Sequence, residues 1–245
     1  MSITADNLAA TDHAATNRAV GSVYEFEPVA VDLYRDIHKG IRAELFDVTL
    51  AAGRVDASCR ADRAAVAGHV LSVGQVLEMH AHHEDQHVEP ALLEHAPSLA
   101  DQISTDHHVL EARFNFVTEL AQTAVDAAVT DQRRLMHLLY LELSGFTSAY
   151  LAHQLVEERV VMPAIERSIG PEGALGLHIA VVSSIPPDVM ARSLAFMLPA
   201  MNIDNRTELL TGMKRSAPPQ AFEAVMGLAS SVLDPNDFPA MAARL

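Results

Sequence analysis

The chain has 245 residues, with 17 basic against 32 acidic side chains, a formal net charge of −15, 5% aromatic residues and no tryptophan. That length suffices for one sizeable core or a core with a smaller appendage, and the excess of alanine, leucine and valine over aromatics favours an all-helical protein. So acidic a surface repels phosphate backbones and anionic lipid, which argues against nucleic acid and membranes as partners, and a single cysteine, Cys59, rules out an intramolecular disulfide.

No apolar run approaches the ~18 residues of a membrane span. Met1 to Asn17 is polar and alanine-rich, without the basic-then-apolar pattern of a leader. Together with the lone thiol, which suits a reducing compartment, this leads us to expect a soluble, cytoplasmic protein.

Residues 1–26 lack periodicity and read as a loose or docked tail. Glu27-Pro28 suits a helix start, and a first helix should run to about Ala52 and stop at Gly53. Its apolar residues stand around His38: Tyr34 at −4, Ile41 at +3, Leu45 at +7 and Val48 at +10. Asp56 or Ser58 can cap a second helix reaching about His95, before Pro97. A third opens near Ser98 and fades around 125–129, and around His107 it repeats the first pattern with Ile103, Leu110, Phe114 and Val117. The fourth opens at Thr130 or Asp131 and ends before Gly170-Pro171.

The second and fourth helices are patterned the other way. Leu77, Val73 and Val70 precede His80 at −3, −7 and −10, and Tyr150, Phe146 and Leu143 precede His153 at the same offsets. Alternate helices of an up-down-up-down bundle run in opposite directions, so all four apolar stripes then extend to one side of a layer containing all four histidines. The short connections near 53–57, 96–98 and 127–131 fit that order. The fold expected is an all-α, antiparallel four-helix bundle over residues 27–170 with a C-terminal helical extension over 171–245. In that extension recurring prolines predict helices at roughly 172–184, 187–198, 205–215, 218–233 and 236–244. The extension either packs on the bundle or joins two copies of the chain into a homo-oligomer.

Two stretches carry chemistry. His80 and Glu84 are four residues apart with Pro90 beyond them, and His153, Glu157 and Pro163 repeat the arrangement. Residues four apart lie about 40° apart on one helical face, so each pair presents an imidazole beside a carboxylate. Six residues therefore point at one core layer: His38, His80, Glu84, His107, His153 and Glu157. Unpaired burial of so many ionisable groups would cost several kcal/mol per charge, and metal ions are the natural compensation. Imidazole suits iron, zinc or copper, and two bridging carboxylates would give each of two ions two histidines and a share of both glutamates. Open positions on a redox metal mean oxygen, peroxide or nitric oxide chemistry. A helix scaffold with a hydrogen-bonded polar layer is the alternative, and would survive loss of His80 or Glu157 without consequence.

Of the other candidates, His87 falls at +7 from His80, on the expected core stripe, and could supply a fifth nitrogen; His83 is a weaker rival. His108 should face outward, while His69, His82, His95 and His137 read as surface or structural residues. Glu158, Glu89 and Asp85 read as solvated acids. Tyr34 and Tyr150 stand one turn from ligand positions, either bonding the layer or simply filling the core. Cys59 reads as an inert thiol.

The spacing His38…His80-x3-Glu84-x5-Pro90…His107…His153-x3-Glu157-x5-Pro163 resembles the hemerythrin-like family of HHE cation-binding domains over roughly residues 28–168. The segments Asp36–Arg42 and Glu157–Pro163 resemble that family too. The resemblance implies a non-haem di-iron centre of two iron ions, oxo- or hydroxo-bridged, with the six layer residues as ligands. It also implies a small-molecule ligand, O2, NO or peroxide, in a sensing or oxidative-stress role; the alternatives are a catalase-like enzyme decomposing peroxide and an iron-storage or iron-donor module. Animal oxygen carriers of the family use a His-x-x-x-His pair on the third helix, whereas position +4 from His107 is Glu111 here. That departure weighs against simple reversible oxygen carriage.

Overall fold

The computed structural model describes residues 27–245, and the tail expected over 1–26 lies outside the described residues. Among the described residues the secondary structure is all helical. We number the α-helices α1 (Arg35–Arg54), α2 (Arg60–His83), α3 (Glu89–His95), α4 (Pro97–Val125), α5 (Gln132–Val156), α6 (Met162–Ser184), α7 (Pro187–Ala200), α8 (Ile203–Ser216), α9 (Pro219–Val232) and α10 (Asp237–Ala242). A π-helical turn, Glu84–Val88, joins α2 to α3, and a second, Glu157–Val161, joins α5 to α6.

The first helix starts later than its proline suggests. Residues 27–34 are not helical. The Asp32 carboxylate accepts from the backbone N–H groups of Tyr34 and Arg35, at 3.0 and 2.9 Å, and so satisfies donors a helix start leaves orphaned. Upstream, the Glu166 carboxylate takes the N–H groups of Ala30 and Val31, at 2.7 and 3.1 Å, and Val29 and Val31 pack into an apolar cluster. Pinned by tertiary bonds, the segment containing Pro28 has no need of helical ones.

Helices α1, α2, α4 and α5 pack on one another: α1 on α2 and α5, and α4 on α2 and α5. The apolar residues at +3, +7 and +10 from His38 and His107, and those at −3, −7 and −10 from His80 and His153, are all buried in one cluster. Tyr34 and Ile103, at −4, belong to a second cluster with Val88, Val161 and Ile165. The histidine layer lies between these clusters.

Each π turn carries one more residue than an α-turn would, and the register shifts accordingly. Eight residues beyond its histidine each turn buries a valine, Val88 at 4% exposure and Val161 at 0%, whereas His87 and Val160 at +7 are only half-buried. This corrects the placement of His87 on the core stripe.

Helices α7 to α10 enclose a third cluster built on Leu194, Leu198, Leu210, Leu233 and Met241. Within it the Arg206 guanidinium donates to the carbonyls of Leu198 and Pro199 at the end of α7 and to Asp237. Helix α7 packs against α1. The approach is close at Gly40, where a Cβ would meet the Phe196 ring at 2.5 Å, so only glycine allows this contact without displacement. Gly170 (φ 72°, ψ 169°) breaks the helix just before Pro171, as its sequence suggests. Among the described residues no single helix is long and apolar enough to cross a membrane.

Candidate metal centre

Each layer histidine sits where its helix's stripe changes cluster. His38, His80, Glu84, His153 and Glu157 are buried, and the His107 side chain is 14% exposed. Their polar atoms converge. His38 Nε2 lies 3.0 Å from His80 Nε2 and 3.4 Å from Glu157 Oε2. His80 Nε2 is 3.6 Å from Glu84 Oε1, and His107 Nε2 is 3.4 Å from Glu84 Oε2. Glu157 Oε1 is 2.9 Å from His153 Nε2 and 3.7 Å from His107 Nε2. The donors fall into two groups of metal-binding size, His38–His80–Glu84–Glu157 and His107–His153–Glu157, which share Glu157.

Two of the other ring nitrogens are held by carboxylates. His38 Nδ1 donates to Glu158 Oε1 at 2.9 Å, and Arg42 clamps the same carboxylate with two bonds of 2.7 and 2.9 Å. His107 Nδ1 donates to Asp85 Oδ1 at 3.2 Å. His153 Nδ1 faces Asp106 Oδ2 at 3.8 Å, too far for a hydrogen bond. With Nδ1 carrying the proton, Nε2 of His38, and that of His107 once its imidazolium gives up a proton, turns a lone pair to the layer, which is the tautomer a metal requires. Glu158, 22% exposed, is therefore not the solvated acid its sequence context suggests, whereas Asp85 is exposed as expected and bonds His107 from the surface. The signal for the first was present in Arg42, one turn after His38 on the same helix.

Burial pushes the Glu84 carboxyl up, with the Glu157 charge adding to it, to about 8. Burial would do the same to Glu157, but the facing His107 and His153 outweigh it and hold this carboxyl well below its usual range. Burial lowers His107, yet the carboxylates of Glu157 and Glu84 prevail and carry it to about 11; for His153, Asp106 and Glu157 prevail over burial to give about 9. Burial and the neighbouring His38 depress His80 well below its ordinary value. Glu158 stays low because His38 and Arg42 overcome its burial.

Hydrogen bonds do not satisfy this layer. Glu84 Oε1, His107 Nε2 and both carboxylate oxygens of Glu157 are buried without a hydrogen-bond partner among the described residues, and the one hydrogen bond inside the layer joins the His38 and His80 Nε2 atoms. Buried polar atoms are nearly always paired, so orphans converging on one point fit a bound cation. Imidazole with carboxylate is the donor set of iron, manganese or zinc.

The remaining candidates lie elsewhere. His87 Nε2 is 3.2 Å from Ser184 Oγ and His83 Nδ1 bonds the Met79 carbonyl at 2.7 Å, so neither is brought to the cluster. His108 faces outward, as its neighbours suggest. The Tyr34 ring packs 4.9 Å from His38, and burial, then the charges of Glu84 and Glu157, push its pKa well up. Tyr150 meets His153 edge-on at 5.8 Å. A groove of about 620 Å³ between α2 and α4, with Leu77, Phe114, Glu78 and Glu111 in its walls, reaches the cluster at His107 and Tyr150.

No curated protein and no solved structure matches the chain significantly. A family model does: residues 29–172 match the hemerythrin HHE cation-binding domain, and all six layer residues fall within the match. With more than half its length matched, the chain belongs to the hemerythrin HHE cation-binding domain family, and the buried His/Glu cluster lies within the matched residues.

Proposed function

We propose that the chain is a non-haem di-iron protein whose ligands are His38, His80, Glu84, His107, His153 and Glu157, and that it binds O2, NO or peroxide in a sensing or oxidative-stress role. In this reading residues 27–170 form an up-down-up-down bundle around the ions, and residues 171–245 extend it. The observation that carries the proposal is Glu157, buried at 1% exposure, without a hydrogen bond at either oxygen, facing the imidazoles of both donor groups and common to both, as a bridging carboxylate must be.

Bound iron would supply one-electron redox chemistry and coordination positions open to a small ligand. The protein's part is to hold its donors ready. Glu158 and Asp85 fix the tautomers of His38 and His107, and apolar clusters on both sides of the layer exclude water. The test is metal content and the near-ultraviolet and visible spectrum of protein made in iron-supplied cells. Two irons per chain with oxo-bridge charge-transfer bands are expected. Folded protein without metal would leave only a helical scaffold.

The groove beside His107 favours a second reading, decomposition of peroxide, because it gives a ligand larger than a diatomic a way to the layer. Sustained oxygen evolution from peroxide without iron loss would select it.

A further inference from the structure

The groove between α2 and α4 has an apolar floor and an acidic mouth. Phe114 and Phe146 line it with ring centroids 4.8 Å apart, and Tyr150 continues the row 5.6 Å from Phe146. Leu77, Leu110 and Tyr150 each stand three residues from a layer histidine and are buried in one cluster, so they share a level of the interior. The residues that follow the two leucines are Glu78 and Glu111, both exposed and both in the groove walls. One residue advances a helix by only about 1.5 Å, so two carboxylates flank the mouth close to the level of Tyr150.

Three polar groups at this level are unspent. Among the described residues Glu78 and Glu111 make no ion pair or hydrogen bond, and the hydroxyl of Tyr150, only 6% exposed, has no hydrogen-bond partner. No lysine or arginine lines the groove to neutralise the acids. Its volume of about 620 Å³ is that of a small-molecule pocket, and an apolar surface with a few convergent polar groups is how such pockets are built.

We propose that this groove binds a primary amine with an apolar body, its ammonium held among Glu78, Glu111 and the Tyr150 hydroxyl and its body laid on Leu71, Phe114 and Phe146. A primary ammonium brings three N–H donors, and the three groups supply an acceptor for each. The acidic walls attract the cation and turn away an anion of the same shape. A quaternary ammonium carries the charge but has no donor for the hydroxyl. The site needs no ion in the layer, so the proposal goes beyond the di-iron reading and stands apart from it.

Hexylammonium is the probe, titrated into the full chain by calorimetry at constant ionic strength. Saturable binding of one equivalent is expected, about tenfold or more tighter than methylammonium, since each methylene buried on an apolar surface adds up to about fourfold. Hexanoate should not bind, and hexyltrimethylammonium should bind several-fold more weakly. Glu78→Gln combined with Glu111→Gln should weaken hexylammonium about three- to tenfold, and both positions are exposed, so the fold survives the change. Tyr150→Phe should weaken hexylammonium several-fold and leave hexyltrimethylammonium as it was. No binding of hexylammonium, or equal affinity for methylammonium and hexylammonium as a mere counterion cloud would show, would overturn the proposal. So would hexanoate binding as tightly, or an unaltered affinity in the double variant. If Tyr150→Phe does not fold, the probe series and the double variant decide.

Discussion

His38 reaches Glu158 with Nδ1 at 2.9 Å, across 120 residues of sequence, and thereby turns its Nε2 to the buried layer. Glu158→Gln keeps the shape but removes the charge that fixes this tautomer. Metal affinity should fall about ten- to a hundredfold, read by chelator competition, while far-ultraviolet circular dichroism stays unchanged. An unchanged affinity would show that the imidazole needs no such support.

Metal uptake should release protons. Without an ion, His107 with a pKa of about 11, His153 at about 9 and Glu84 at about 8 are protonated at neutral pH, and all three must lose protons to act as ligands. Affinity should therefore climb as pH rises from 6 towards about 9. For the metal-free protein the sign reverses for the histidines. Their pKa values are raised above the unfolded one, so their stabilising contribution is complete below about 6.5 and is lost as pH rises through about 9 to 11. Melting temperatures of metal-free and metal-loaded protein should thus diverge on the alkaline side, and parallel curves would refute the assignment.

His87→Ala should leave metal content and spectrum as they are, because the imidazole spends its Nε2 on Ser184 and lies off the buried face. Loss of an ion in this variant would restore His87 as a ligand and contradict the register of the π turn.

Arg63 is a structural counterpart to the metal layer, and its effect should be on the fold alone. Only 3% exposed, it donates to the carbonyls of Ala57, Ala124 and Val125 at 2.7–2.9 Å, closing the C-terminal end of α4. Arg63→Met preserves bulk but orphans these carbonyls and should cost about 2–4 kcal/mol in urea unfolding. Lysine should rescue only part of that, since one ammonium cannot span the three carbonyls as the guanidinium fork does.

The periodicity of the sequence carried much of the fold. Stripes such as Ile41–Leu45–Val48 and Leu143–Phe146–Tyr150 are buried as their spacing implies, because a helix must cover its apolar face whatever the details of its partner. The convergence of His38, His80, Glu84, His107, His153 and Glu157 was legible for the same reason. What was not legible depends on contacts between distant segments. The delayed start of α1 comes from Glu166 and Asp32, and Glu158 becomes a histidine partner only once α5 lies against α1. The displacement of His87 has a different origin: spacing arguments assume an unbroken α-helical phase, and the π turns after His83 and Val156 break it.

The layer that gathers the ligands also divides the apolar interior. Ile41, Phe114 and Phe146 lie in one cluster and Tyr34, Val88 and Ile165 in another, with ionisable groups between. Neither cluster can lend the other cohesion through that seam except by way of whatever binds there. Ions bound there would therefore act as rivets joining two cooperative units. Their removal should loosen the smaller unit first, so that amide exchange quickens in α3 and the early turns of α6 while the middle of α1 stays protected.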